Sequence, residues 1–366
     1  MRLLLLNQFG GASGAPTGRI LAELGTELER RGHAVVLLTT DSSYGKPRHG
    51  LGRILDEGLV HISFFWRSLW CRKVDAVISL TSPVCLAVTA GIIAKLHRAR
   101  HFHWAMDLYP DVGARLGELK NEPLVDFLRF LMRQAYQSAS GVVTLDEDMR
   151  EYLQANYEVD STVIEPFPPE IAWPVIEKKP KAAARRWLYS GNFGRAHEID
   201  VLLQIQKRLE ERQVQADLVL QGQGHQFLSS QDSARRLGLR QVHWRAPVPQ
   251  DELGRSLLES EVLVVTRKTE MKGLLLPSKL VLAELSGRSI LWIGDTDGKT
   301  AQRLRLEKRH GVFTMEDVEP MAAWLQEVFE RDAIEPATEP RAPGEIRQQS
   351  VRQWEALLAK SGQPPS

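Results

Sequence analysis

The sequence predicts an α/β protein built from two successive parallel-sheet domains. Three observations carry that expectation. Short apolar runs alternate with amphipathic helical stretches almost from end to end, which is the pattern of βαβ units. The alternation is broken once, near the middle, by a proline-rich basic segment, and then restarts. The chain also has 366 residues. At roughly 150 residues per domain that is enough for two sizeable cores.

In the first half, residues 3–6, 35–38, 74–80, 101–105 and 142–145 are short apolar runs and read as buried strands. Between them, Ile20, Leu21, Leu24 and Leu28 recur at helical spacing, as do Leu124, Phe127, Leu128 and Leu131. Residues 51–73 share that spacing through Leu55, Leu59, Ile62, Phe65, Trp66, Leu69 and Trp70, with His61, Arg67, Arg72 and Lys73 among them. This stretch is either a core-facing amphipathic helix or a membrane-surface face. The break follows: Pro166, Pro168, Pro169 and Pro174, then Glu177-Lys-Lys-Pro-Lys. It can continue neither a helix nor a central strand, and reads as a hinge. Beyond it, residues 187–190, 218–221, 242–244, 262–266 and 290–293 are the next strands. A second proline-rich segment near residue 340 leads to a last helix over 346–358. The expected domains are residues 1–168, joined by 344–366, and residues 183–335, with a linker over 169–182.

The composition is 43% apolar and 25% charged, which argues against collagen-like, disordered and disulfide-scaffold classes. With 47 Lys and Arg against 46 Asp and Glu, the net charge of +1 is too small for a protein held on nucleic acid by bulk electrostatics. An electrostatic partner must therefore meet a local patch. Cys71 and Cys85 are too few for a disulfide framework or a four-ligand zinc site, and read as buried thiols in a reducing compartment. Four leucines before Asn7-Gln8 are too short for a signal-peptide core. The longest apolar run, residues 84–94, falls well short of the ~18 residues of a spanning helix. The expected location is cytoplasmic, with room for contact at a membrane surface but no crossing.

In doubly wound folds ligands bind beyond the carboxyl ends of the strands. Gly10, Gly11, Gly14 and Gly18 follow the first strand, where glycines admit close approach and a helix N-terminus favours anions. Their spacing is not G-x-G-x-x-G, so the loop is either a ligand loop or a plain connection. After the first strand of the second half comes Tyr189-Ser-Gly191-Asn192-Phe-Gly194-Arg195-Ala-His197, a glycine-rich turn carrying a fixed cation and an imidazole. Gly222-Gln-Gly224 ends another strand and is weak alone. Lys272-Gly-Leu-Leu-Leu-Pro277-Ser278-Lys279 places a hydroxyl and an ammonium at a helix start, where a lysine is unfavourable unless an anion joins it. In the first half, Asp107 follows a strand where a functional carboxylate belongs, while Asp111 after Pro110 reads as a helix cap.

Taken in order, these pieces resemble the retaining family-4 glycosyltransferases of the GT-B fold, in the branch of bacterial surface-polysaccharide enzymes that includes the fucosaminyltransferase-like members. The resemblance runs through Arg31-Gly-His33, Thr81-Ser-Pro83, Asp107-Leu-Tyr-Pro-Asp111, the Ser190-to-His197 stretch, Gly222-Gln-Gly224 and Pro277-Ser-Lys279. It implies two Rossmann-like doubly wound domains facing across a cleft, with the C-terminal helix crossing back to the first. It also implies transfer of a sugar from a UDP- or GDP-linked donor to a glycan acceptor, one expected to be lipid-linked and met at the inner membrane surface. No metal, no further cofactor and no nucleic acid is expected. Carried over by position, Asp107, Arg195 and Lys279 are the catalytic candidates. The donor candidates are Gly10, Gly11, Gly191, Asn192, Arg195, His197, Gly222, Gly224, Arg245, Pro277, Ser278 and Lys279. One departure stands out: Leu274 and Leu282 occupy the positions of the family's Glu-x7-Glu pair, and Glu284 lies two residues along, on another helix face. Nucleotide contacts must then differ. The alternatives are a non-catalytic GT-B-like binding subunit and a sugar-nucleotide epimerase of the same fold. A nicotinamide dehydrogenase is disfavoured, because no G-x-G-x-x-G follows either domain's first strand.

Overall fold

The computed structural model describes residues 1–11, 15–40, 51–174, 185–194, 199–224, 226–330 and 343–360, the side chains of 51–55 excepted. The chain divides into two compact units. One is Met1–Phe167 with Gly273–Leu276 and Gly344–Ser366; the other is Pro168–Lys272 with Pro277–Pro343. The expected linker begins inside the second unit, and its residues from 175 onward lie outside the described ones.

The first unit runs β1 (Arg2–Phe9), α1 (Pro16–Arg30), β2 (Ala34–Thr40), α2 (Leu51–Leu69), β3 (Ala76–Ser79), α3 (Leu86–His97), β4 (Arg100–Trp104), α4 (Asp111–Arg115), α5 (Glu122–Gln137), β5 (Gly141–Thr144), α6 (Glu147–Tyr157) and β6 (Thr162–Val163). Its described strands form a parallel sheet in the order β2-β1-β3-β4-β5-β6. Leu3 to Leu6 are fully buried because β1 is central and covered on both faces. α1 starts on Pro16, whose missing N–H costs nothing at a helix start, and turns Ile20, Leu21, Leu24 and Leu28 inward. Gly18 lets it lie close to the sheet, since a Cβ there would come within 2.4 Å of the Gly10 carbonyl oxygen. Crossover handedness puts α2, α3 and α5 side by side on one face of the sheet, where α2 packs on α3 and α3 on α5.

The second unit runs β7 (Arg185–Asn192), α7 (Asp200–Glu211), β8 (Ala216–Gln223), α8 (Phe227–Leu237), β9 (Val242–Arg245), α9 (Gln250–Leu258), β10 (Val262–Thr266), α10 (Lys279–Leu285), β11 (Ser289–Ile293), α11 (Lys299–Leu306), β12 (Gly311–Phe313) and α12 (Val318–Glu330). Its described strands form a second parallel sheet, β12-β11-β10-β7-β8-β9. Every residue of β10 and β11 is buried, as central parallel strands require. The chain order reverses between β7 and β10, which makes the ends of those two strands the switch point where ligands of such sheets bind.

The last helix, α13 (Pro343–Lys360), belongs to the first unit. Trp354 packs edge-on to Trp104 at 5.1 Å between ring centres, and the Arg100 guanidinium donates to the Leu358 carbonyl at 2.6 Å. β6 and β12 are edge strands of two and three residues, too short to show in the sequence. Cys71 and Cys85 are free thiols, half-buried rather than buried, and burial pushes the Cys85 thiol up to about 11. Among the described residues no helix is long and apolar enough to cross a membrane.

Candidate functional site

The switch point of the second unit holds a compact cluster. β7 and β8 pair in register through Gly191 and Gly222, then through Asn192 and Gln223, so these glycines lie within the strand ends rather than in loops. Only glycine fits there. Gly222 has φ +145°, and a Cβ on it would stand 1.8 Å from the Gly191 carbonyl oxygen. Gly224, at φ +141°, would meet the Asn192 side chain at 2.4 Å. The Phe193 N–H donates to the Gln223 carbonyl at 2.8 Å, and its buried ring fills the space between Tyr189 and Phe227.

Lys279, the first residue of α10, reaches across to this pair of strands. Its ammonium lies 4.6 Å from the centre of the Tyr189 ring and donates to the Tyr189 hydroxyl at 3.1 Å. The Tyr189 hydroxyl in turn donates to the Asn192 carbonyl at 2.8 Å, and the Lys279 stem occupies the space a side chain at Gly191 would need. Burial lowers the lysine to about 7. Its methylenes are packed away while its charge has an aromatic face and a hydroxyl for company, so a bound anion would find it responsive to pH. Pro277 is buried and Ser278 is exposed at the N-cap position, where its side chain makes no cap hydrogen bond.

A second feature of this sheet end was invisible in the sequence. Arg267, just past β10, is fully buried and pairs with Asp295, just past β11, through Nε at 3.0 Å and Nη2 at 2.6 Å. The guanidinium lies 5.0 Å from the centre of the Trp292 ring, and the Trp292 indole N–H donates to the Asp295 carbonyl at 2.8 Å. This clamp joins the segments that leave β10 and β11. No local pattern marks it, because its partners stand 28 residues apart.

In the first unit, Asp107 follows β4 and bridges Leu275, while the Leu108 N–H donates to the Leu274 carbonyl at 2.8 Å. Leu274 thus acts here through its backbone carbonyl, and its side chain is buried. Burial raises the Asp107 carboxyl to about 6, though the residue remains half-buried. A group with that property can hold or release a proton near neutral pH. Asp111 is not a helix cap: Pro110 occupies the N-cap position. The buried Asp111 carboxylate instead accepts from Arg129 Nε at 2.7 Å and from the Tyr157 hydroxyl. It ties α4, α5 and α6 together.

Residues 17–170 match the family model described as a glycosyl transferase 4-like domain. No curated protein matches the chain as a sequence relative. Solved structures do resemble it throughout. Sucrose-phosphate synthase from Thermosynechococcus elongatus has a TM-score of 0.68 at 14% identity, covering 99% of this chain and 97% of that one. The lipopolysaccharide outer core galactosyltransferase WaaB, in its apo form, has 0.66 at 15%, covering 98% and 99%. Anabaena Alr3699/HepE in complex with UDP and glucose has 0.66 at 15%, covering 99% and 100%. The fold is that of the GT-B glycosyltransferases.

On the GT-B frame, the structure brings Gly191, Asn192, Gly222, Gly224, Pro277 and Lys279 together at one sheet end. Ser278 adjoins them. Arg195 and His197 lie outside the described residues. Arg245 ends β9 opposite Gln221 of β8, and its exposed side chain pairs at 3.8 Å with Glu259, a carboxylate that Arg186, at the start of β7, holds at 2.9 Å. Gly10 and Gly11 directly follow β1 in the first unit. Glu284 pairs with Arg303 at 2.5 Å, and Leu282 is half-buried on α10.

Proposed function

We propose that the chain is a retaining, nucleotide-sugar-dependent glycosyltransferase that extends a lipid-linked saccharide in cell-surface polysaccharide assembly. The observation that carries this reading is Lys279 at the switch point of the second sheet, held over Tyr189 beside Gly191, where backbone and cation converge. The match of residues 17–170 to a glycosyl transferase 4-like domain supports the reaction class. The neighbour solved with UDP and glucose supports a nucleoside diphosphate donor.

The chemistry follows from charge. Cleaving the donor's anomeric C–O bond leaves a nucleoside diphosphate whose negative charge grows in the transition state, so a cation aimed at it lowers the barrier. Lys279 supplies that cation, and Arg195 is assigned the same task from its place in the sequence motif. The glycines let the backbone approach the diphosphate. Retention is accounted for when the departing phosphate oxygen takes the proton of the incoming hydroxyl on the same sugar face. Asp107 is assigned to the acceptor side, where its carboxylate accepts a hydrogen bond from an acceptor hydroxyl. The leaving charge is met by side chains, so the reaction runs without a metal ion.

The test is a calorimetric titration of the purified protein with UDP- and GDP-sugars, followed by NMR of the product anomer with a lipid-linked acceptor. Saturable donor binding, a retained anomeric configuration and a rate unchanged by EDTA are expected. Absence of binding to every donor supports a non-catalytic GT-B-like subunit instead, the reading favoured by Leu274 and Leu282. Donor conversion without acceptor supports an epimerase. Rate loss in EDTA removes the metal-free step.

A further inference from the structure

The helical face of the first unit carries a feature that donor chemistry does not use. On α2 and just beyond it, Leu59, Ile62, Trp66 and Trp70 form one outward stripe, exposed by 62%, 55%, 59% and 89%. The inward stripe of the same helix is Val60, Phe64 and Ser68. The helix is therefore apolar on two sides, and only one faces the core. On α3, Ile92 and Leu96 are exposed as well. The two helices lie side by side, since His61 bonds Thr89 Oγ1 at 2.7 Å and His97 bonds the Ser68 carbonyl at 3.0 Å. The two outward stripes thus lie on neighbouring helices. Phe127 and Phe130, exposed on α5, extend the surface on the far side of α3. Soluble chains seldom expose contiguous apolar area of this kind without a partner.

The charges choose the partner. Between Glu57 and Asp107 the sole acidic residue is Asp75, whose carboxylate is occupied by the Arg2 backbone N–H at 2.7 Å. In the same stretch Arg72, Lys73, Lys95 and Arg98 are exposed at the C-terminal ends of α2 and α3. In a chain of net charge +1 the α2–α3 stretch is one-signed, while on α5 the exposed Asp126 is paired with Arg129 at 3.1 Å. A second copy docked on it by two-fold symmetry would bring the same basic patch to itself. An anionic bilayer would meet it with opposite charge, and tryptophans beside an apolar stripe match the boundary between headgroups and acyl chains.

We propose that the α2–α3 face, flanked by α5, docks on the surface of an anionic lipid bilayer, with Trp66 and Trp70 entering the interface and Arg72, Lys73, Lys95 and Arg98 on the headgroups. This deepens the reading of a lipid-linked acceptor, but it stands on its own residues and is measured without turnover.

The experiment is co-sedimentation of the full chain with vesicles of equimolar phosphatidylglycerol and phosphatidylcholine, and with vesicles of phosphatidylcholine alone. Binding to the anionic vesicles that weakens with salt is expected. The double substitution Trp66→Ser and Trp70→Ser should weaken it about tenfold or more. The pair Arg72→Gln and Lys73→Gln should weaken it roughly fivefold per charge. Both variants should keep the wild-type melting temperature and donor affinity, because these side chains are solvent-facing. Equal sedimentation of the Trp variant and wild type overturns the proposal. So does a dimer, seen by light scattering without lipid, that the Trp substitutions dissociate. Loss of donor binding with vesicle binding intact would sink the glycosyltransferase reading and leave this one standing.

Discussion

Replacing Lys279 by Met tests the electrostatics of the switch-point cluster most directly. The ammonium is lowered from 10.5 to about 7 by burial alone. If the protonated form is the one that holds the donor diphosphate, affinity should fall as pH rises through 7. The slope approaches tenfold per pH unit, or about 1.4 kcal/mol per unit. A diphosphate is already ionised in that range, with a last pKa near 6, so its own titration does not mask the effect. Between about pH 7 and 9, UDP affinity measured by calorimetry should therefore drop by up to about fiftyfold in wild type. In Lys279→Met it should be weaker and flat. The stability sign is opposite. The unfolded lysine binds more protons than the folded one between about 7 and 10.5. Wild-type stability from this group therefore rises with pH across that window, and the full penalty is present below it. Methionine fills similar space without the charge, so the variant should melt higher than wild type at pH 6 to 7, roughly, with the gap closing toward pH 10. A flat wild-type affinity, or a variant with the wild-type slope, would refute the assignment.

Two further outcomes test the frame around it. Arg267→Met should cost about 3–5 kcal/mol in urea unfolding, because it leaves the Asp295 carboxylate buried without its cation. The paired change Arg267→Met with Asp295→Leu should recover most of that loss, and a single-variant cost below about 1 kcal/mol would mean the clamp is not structural. Gly222→Ala forces a Cβ to 1.8 Å from the Gly191 oxygen, so β7 and β8 must part at their ends. A loss of about 3 kcal/mol or more, together with loss of donor binding, is expected. Gly32→Ala is the control: at φ +85° with open space around it, only backbone strain of about 1–2 kcal/mol applies.

Much of the frame was legible in the residues. Buried parallel strands demand unbroken apolar runs, so β1, β10 and β11 announce themselves, while β6 and β12 have too few residues to leave a pattern. The glycine and lysine positions of the second unit were also legible, because glycines after strands and a lysine at a helix start are locally odd choices. Other residues were misread for want of their partners. Asp111 follows a proline and looks like a cap, yet its carboxylate is taken by Arg129 and Tyr157 on other helices. Arg267 is one of 47 basic residues until Asp295 is placed against it.

By itself, then, the sequence determined two parallel βα stacks and the glycine-rich strand ends, since these follow from periodicity and backbone freedom along a few adjacent residues. Only the tertiary structure decided that Gly191 and Gly222 pair, that Lys279 rests on Tyr189 at a reduced pKa, and that one apolar stripe of α2 faces out. Charge state, ion-pair choice and exposure depend on what lies within a few ångströms across the fold. Residues 90 apart in the chain set those terms for Lys279.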